Sequence, residues 1–293
     1  MKGRQLLLGF VFAIALQGQS ATTTARQIVQ QIQQHLGVQV TPDTVDTFKA
    51  GDPDTAVSGI AVTMMATLDV LQHAAAAGLN LVITHEPTFY NHLDTTDVLE
   101  SQHDAVLAEK KRFIAEHHLV VWRFHDGWHD RRPDGILLGM THALEWERFQ
   151  DRGEEHFFTV PQITVGQLAR EVKRKLAIRV LRVVGDPRMT VTRLGFLPGA
   201  AGSEKQIQML EQPNIDVLLI GETPEWETVE YVADAVTEGK RKALLILGHV
   251  VSEQAGMREC TTWLRSFISG VPVSFVPAAE PFWAAINGSK NGK

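Results

Sequence analysis

A chain of 293 residues with 44% hydrophobic residues is long enough for two modest globular lobes with their own cores, which excludes disorder as a main theme. A formal net charge of -6 and an isoelectric point near 6.1 give a surface that repels a polyanion at neutral pH, which argues against nucleic-acid binding. The single cysteine, Cys260, excludes an internal disulfide and a thiolate zinc site, so any metal must be held by His, Asp and Glu, and there are 12 histidines.

Residues 1–20 read as a secretory signal. Lys2 and Arg4 precede an apolar run over 6–16, and Gly18 and Ser20 suit cleavage after Ser20. The run is shorter than the roughly 20 residues a membrane-spanning helix needs. Cleavage removes those two positive charges and no negative one, taking -6 to -8. The expectation is a secreted or periplasmic, acidic protein with no membrane attachment after signal removal, and a lone thiol suits an oxidising compartment.

Past the signal, 26–36 has the spacing of an amphipathic helix, followed by a polar, turn-rich stretch over 41–54. Short apolar runs then predict strands at 58–63, 81–84, 119–124, 180–184, 193–197, 217–220, 243–247 and 273–276. Helical spacing appears at 68–77, 98–117, 165–175, 204–212, 226–238 and 252–269. Strand followed by helix, repeated, predicts an α/β fold with mixed, largely parallel sheets flanked by helices. A charged stretch over 147–155 marks a lobe change: 26–150 and 240–293 form a first lobe carrying most of the candidate metal ligands, and 151–239 a second, with the site at their interface. The stretch 199–205 lacks the Gly-Lys-Ser/Thr ending of a phosphate loop and reads first as a tight strand-to-helix turn, although its amides can attract an anion. No Gly-x-Ser-x-Gly elbow is present, which argues against a serine hydrolase.

Three strands deliver ligand-type residues just past their carboxyl ends, the edge where open α/β sheets bind ligands. The first gives His85 and Glu86, the second His125, Asp126, His129 and Asp130, and the third His249 and Glu253, one turn apart if a helix begins near Val250. Imidazole nitrogen with carboxylate oxygen suits zinc, manganese, iron or nickel. Six or more such groups exceed one tetrahedral site and match two divalent ions about 3.5 to 4 Å apart, an arrangement suited to hydrolysis.

These residues also carry a resemblance. Thr67-Leu68-Asp69, Leu81-Val82-Ile83-Thr84-His85-Glu86-Pro87, Gly221-Glu222, Gly248-His249-Val250-Val251-Ser252-Glu253 and Glu280-Pro281-Phe282 resemble, in order, elements of the NIF-three-like dinuclear metal-centre proteins, also labelled homologues of type 2 GTP cyclohydrolase I. The likeness spans roughly 27 to 283, the middle third matching only in strand pattern. It implies that His85, His249 and Glu253 are metal ligands. Two departures stand out. Glu86 replaces the second His of the family's His-His pair, offering an oxygen and an added negative charge that favours a harder ion. Where the family has His-x-x-x-Asp, His125 is followed four residues later by His129, with Asp126 too early and Asp130 one position late. Either His129 takes the place of the bridging carboxylate, or a changed loop lets Asp126 serve. Glu222, from the Gly-Glu match, is the candidate acid/base group. His92 is a candidate supporting residue beside the first cluster, Asp69 either holds a ligand or caps a helix, and His117 and His118 read as helix-end residues.

The leading expectation is an exported metal-dependent hydrolase of a small polar substrate. The alternative is a non-enzymatic metal-binding or assembly protein, since a resemblance supports the site better than the reaction. The resemblance implies GTP ring opening and a hexameric ring that clamps DNA. Export argues against the first, and acidic charge against the second, leaving a homo-oligomer as the expected assembly.

Overall fold

The computed structural model describes residues 23–39 and 41–285, so the expected signal over 1–20 lies outside the described residues. The chain opens with α1 (Ala25–His35), where Thr24 and Gln27 form a reciprocal capping box. Then come β1 (Phe48–Ala50), β2 (Ile60–Thr63), α2 (Leu68–Ala76), β3 (Leu81–Thr84), α3 (Asp97–Ser101), α4 (Ala105–Glu116), β4 (Val120–Arg123), α5 (Asp126–Asp130) and α6 (Gly135–Leu144). These strands form a sheet of order β1-β4-β3-β2-β11, closed by β11 (Val273–Phe275); β4, β3, β2 and β11 run parallel and β1 is an antiparallel edge. Every residue of β2, β3 and β4 is buried, as in parallel sheets covered on both faces. The two-residue alternation divides them: Ala61, Val82 and Val121 pack with Leu71 and Ala74 of α2 and Leu107 and Ile114 of α4, whereas Val62, Ile83 and Trp122 face the opposite core.

The second sheet holds β5 (Gln150–Asp151), β6 (Glu154–Thr164), β7 (Arg182–Val184), β8 (Thr190–Leu197), β9 (Val217–Ile220) and β10 (Ala243–Ile246), in the order β5-β6-β8-β9-β10-β7. Only β8, β9 and β10 are parallel. The remaining helices are α7 (Val165–Lys175), α8 (Ser203–Glu211), α9 (Glu230–Thr237) and α10 (His249–Arg265). The inner faces of both sheets join one core through α6 and α10. These two helices cross closely because glycines meet there: a Cβ on Gly139 would lie 2.5 Å from the Ala255 carbonyl, and one on Gly256 2.5 Å from Ile136 Cα. Among the described residues no helix is long and apolar enough to cross a membrane.

The fold is therefore α/β with mixed sheets flanked by helices, and it differs from expectation in places. The helix expected over 98–117 is two, broken where His103 takes φ +51° and Asp104 restarts the turn by accepting from Leu107 N. β10 pairs in parallel with β9, so the second sheet extends to 246 and past the boundary expected at 239. α10 begins at His249, three residues before the expected start at 252. α6 has no counterpart among the expected helices.

Candidate metal centre

β3 and β4 are parallel neighbours with Thr84 opposite Arg123, so the residues that follow each strand emerge side by side at one sheet edge. That places His85 and Glu86 beside Phe124 and His125, and the turn of α5 returns His129 above His125. From the other sheet, β10 passes through Gly248, held at φ +92°, directly into α10, whose first turn carries His249 and Glu253. Both ends open on one cavity of about 880 Å³ lined by Glu86, His125, His129, His249 and Glu253, with Leu197 and Pro198 following β8.

His85 is fully buried, and its Nδ1 faces the Phe124 carbonyl at 3.1 Å, which assigns the proton to Nδ1 and leaves a lone pair on Nε2. Burial pushes its pKa well below the usual histidine value, with His125, His129 and His249 adding to the effect, so it stays neutral. Two neighbouring rings are held in the same way. His125 Nδ1 lies 2.8 Å from Asp126 Oδ1 and His129 Nδ1 lies 2.9 Å from Asp134 Oδ2. The three rings crowd together, with the His85 centroid 4.6 Å from that of His125 and 4.9 Å from that of His129. A histidine whose outer nitrogen is held by an oxygen, with the inner one free, is the arrangement that orients metal ligands.

The carboxylates complete the cluster. Glu86 Oε1 lies 3.1 Å from His249 Nε2 and 3.7 Å from His125 Nε2, and its other oxygen lies 3.4 Å from Arg123. Glu253 Oε2 lies 3.2 Å from His249 Nε2 and 3.8 Å from His85 Nε2. His85 Nε2 is buried with no hydrogen-bond partner, an arrangement that costs stability unless something else fills the space between it and Glu253 Oε2, whose near neighbour is His249. Two triads, His85–His125–His129 and His85–Glu86–Glu253, each bring ligand atoms within 4.8 Å of one another. The mixture of imidazole nitrogen and carboxylate oxygen fits a first-row divalent ion. His249 is pulled the other way. Burial opposes its charge, but Glu222, Glu253 and Glu86 outweigh it and push its pKa up to about 12, so in the ion-free cluster it is the cation that balances the carboxylates.

Of the residues singled out in the sequence, the structure brings together His85, Glu86, His125, His129, His249 and Glu253. Asp126 is placed differently. Its Oδ2 accepts from Thr44 Oγ1 and Val45 N at 2.9 and 3.0 Å, and its Oδ1 faces His125, so it meets the cluster only through that ring. Glu222 is half-exposed and reaches the cluster through His249 Nδ1 at 3.4 Å, which holds its carboxyl below the usual range. His92 lines the cavity, its ring 6.5 Å from His125. Asp69 is exposed in the first turn of α2, which Thr67 caps. The 199–205 stretch is a tight turn: Gly199 takes φ +62° and donates its N–H to Ser252 Oγ, and a side chain there would overlap the Glu253 carboxylate.

Three supporting residues were not anticipated. Asp134 holds His129 with one oxygen and with the other accepts from Ile136 N and Leu137 N, capping α6; an Asp just before an apolar run was the available signal. Arg123, fully buried, donates to the carbonyls of His85 and His92 and faces Glu86. Asp46 accepts from the N–H groups of His125, Asp126 and Gly127, fixing the start of α5 from about eighty residues away, which no local pattern announces.

Residues 22–281 match the family model described as Duf34/NIF3 (NGG1p interacting factor 3). A Chlamydia pneumoniae protein named GTP cyclohydrolase 1 type 2 homolog is 22% identical over 255 residues, covering 80% of this chain and 90% of the relative. A Clostridium perfringens protein of the same name is 21% identical over 217 residues, covering 69% and 76%. The crystal structure of a Bacillus cereus protein related to NIF3 shares the fold, with a TM-score of 0.68 at 13% identity over 90% of this chain and 99% of the other. With the model match running through both sheets and nearly the whole described chain, the protein belongs to the Duf34/NIF3 family.

Proposed function

We propose that this is an exported protein that binds two divalent ions where its two lobes meet and hydrolyses a small polar substrate. The observation that carries the reading is His85 Nε2, buried with no hydrogen-bond partner and 3.8 Å from the buried Glu253 Oε2, inside a ring of four further ligand-type side chains. His85, His125 and His129 would offer nitrogen, and Glu86 and Glu253 oxygen, with His249 beside both carboxylates. Bound divalent ions supply a Lewis acid and lower the pKa of water toward about 7, so no protein nucleophile is needed. Asp126, Asp134 and the Phe124 carbonyl hold the three imidazoles in the tautomer that presents Nε2. Glu222, anionic and half-exposed against His249 Nδ1, is suited to passing a proton between that ring and solvent.

The relatives' name suggests ring opening of GTP, a substrate an exported protein would rarely meet, and this favours a different substrate here. Assembly as a homo-oligomer, a hexamer by resemblance, and residence outside the cytoplasm belong to the same proposal. The test is a panel of esters, phosphate esters and cyclic amides offered to metal-loaded protein. Turnover of at least one, lost in a folded His249→Ala variant, is expected. Metal bound without turnover across the panel overturns the hydrolase reading in favour of a metal-binding or assembly role.

A further inference from the structure

Away from the His/Glu cluster, the cavity changes character. Met65, Leu68, Leu137, Leu197 and Pro198 give it an apolar wall, and its lining carboxylates, Glu86, Asp134 and Glu253, are all gathered at the cluster. The remaining formal charge on the lining belongs to two lysines, Lys110 and Lys205. Lys110 is only 3% exposed, yet among the described residues no carboxylate lies within 4.0 Å of its ammonium group. Its Nζ donates to the Thr88 carbonyl at 2.5 Å and lies 5.1 Å from the centre of the Tyr90 ring and 5.9 Å from that of Phe89. Asp94, the carboxylate whose field it feels, is already shared between Lys49 and Arg123 at 3.7 and 3.8 Å. A buried ammonium that keeps its charge needs an anion, and the fold provides none at contact distance. Lys205, in the first turn of α8, is exposed and likewise has no ion-pair partner among the described residues.

We propose that the cavity selects a small molecule bearing a carboxylate or phosphate group on an apolar or aromatic body, with Lys110 and Lys205 engaging the anion and the apolar wall covering the body. The chamber's volume suits a molecule of that size, and a few placed polar groups within an apolar wall are what orient a ligand. The inference rests on the hydrolase reading only in assigning the reacting bond to the cluster end of the cavity. Lys110 and Lys205 are specificity-determining residues in this account, outside the cluster's own ligand set.

The experiment is calorimetric titration of the metal-free full-length protein with phenylphosphonate, benzoate and, as an uncharged control, benzyl alcohol. Working without metal removes direct coordination of the anion as an explanation. At least one anion is expected to bind saturably, at least about tenfold more tightly than benzyl alcohol, and to weaken by about tenfold in Lys110→Met and in Lys205→Glu. Comparing phenylphosphonate with benzoate identifies which anion the lysines prefer. Lys205 is exposed, so Lys205→Glu carries the test if the buried Lys110→Met fails to fold. Absence of anion binding, or binding unchanged in the folded variants, overturns the proposal. Anion binding without turnover of any substrate sinks the hydrolase reading and leaves this one standing. Turnover confined to uncharged substrates does the reverse.

Discussion

Replacing Asp134 by alanine separates two jobs that one side chain performs. Its Oδ1 accepts from Ile136 N and Leu137 N at 2.7 and 3.0 Å, and loss of such a cap costs about 1 kcal/mol. Its Oδ2 faces His129 Nδ1 at 2.9 Å, and a hydrogen bond to a charged partner contributes about 1.5–3 kcal/mol. The total expected loss is thus about 3 kcal/mol, a large share of the roughly 5–15 kcal/mol that holds an ordinary domain together. The second part depends on pH. Burial works against protonation of His129, but Asp134, helped by Glu253 and Glu86, outweighs it and raises the pKa. A raised folded value means that this stabilisation is fully present below the unfolded value of about 6.5 and fades as pH rises through the folded one. Urea unfolding of metal-free wild type and Asp134→Ala should therefore show a larger penalty at about pH 5.5 than at about pH 9. Asp134→Asn keeps an acceptor for the cap and should lose mainly the pH-dependent part. An Asp134→Ala penalty equal at both pH values would refute the coupling between Asp134 and a protonated His129.

Other expectations follow from single residues. Gly199→Ala forces a side chain into a left-handed turn, at about 1 kcal/mol, and onto the Glu253 carboxylate, so divalent affinity measured by chelator competition should fall about 10- to 100-fold; wild-type affinity would contradict the placement of Glu253. Arg123→Met leaves the carbonyls of His85 and His92 and the Glu86 carboxylate without their buried donor and should cost about 3–5 kcal/mol in denaturant unfolding, with Arg123→Lys recovering only part because it lacks the guanidinium fork. Burial lowers the Lys110 pKa to about 8, so the unfolded chain holds more protons above that pH and stability attributable to this residue should rise by about 3 kcal/mol between about pH 8 and 10.5; Lys110→Met should abolish that rise, and a retained rise would assign it to other groups.

How much of this was legible in the sequence varies with the range of the interactions involved. Apolar runs such as Leu81–Thr84 and Val217–Ile220 are buried on both faces, so composition alone marks them as strands, and helical spacing marks α2 and α7 in the same way. The ligand-type residues were visible for the same reason: each follows a strand that ends abruptly in polar residues. α6 escaped because its sequence, Gly135 to Leu144, is apolar on nearly every face and carries two glycines, which weakens both helical periodicity and propensity; its helix is held by packing on α10. β10 lies past the boundary expected at 239 yet belongs to the second sheet, because a four-residue strand does not record its neighbour and its parallel pairing with β9 is made across a crossover through α9. Nothing local sets Asp126 apart from the cavity-facing groups, because Thr44 and Val45, which claim its Oδ2, lie about eighty residues earlier in the chain. Arg123 lies inside a predicted strand, where nothing local marks it as buried, and Asp46 acts from the turn-rich stretch before β1, the strand paired with β4, with no pattern of its own.

The central claim is that the buried His/Glu cluster exists to hold divalent ions. Purified full-length protein, equilibrated with zinc or manganese and freed of excess by gel filtration, should contain about two ions per chain by elemental analysis, falling to less than about one in His85→Ala, the residue shared by both triads. A folded wild-type protein that retains no divalent ion, or a His85→Ala variant that retains as much as wild type, would contradict the account.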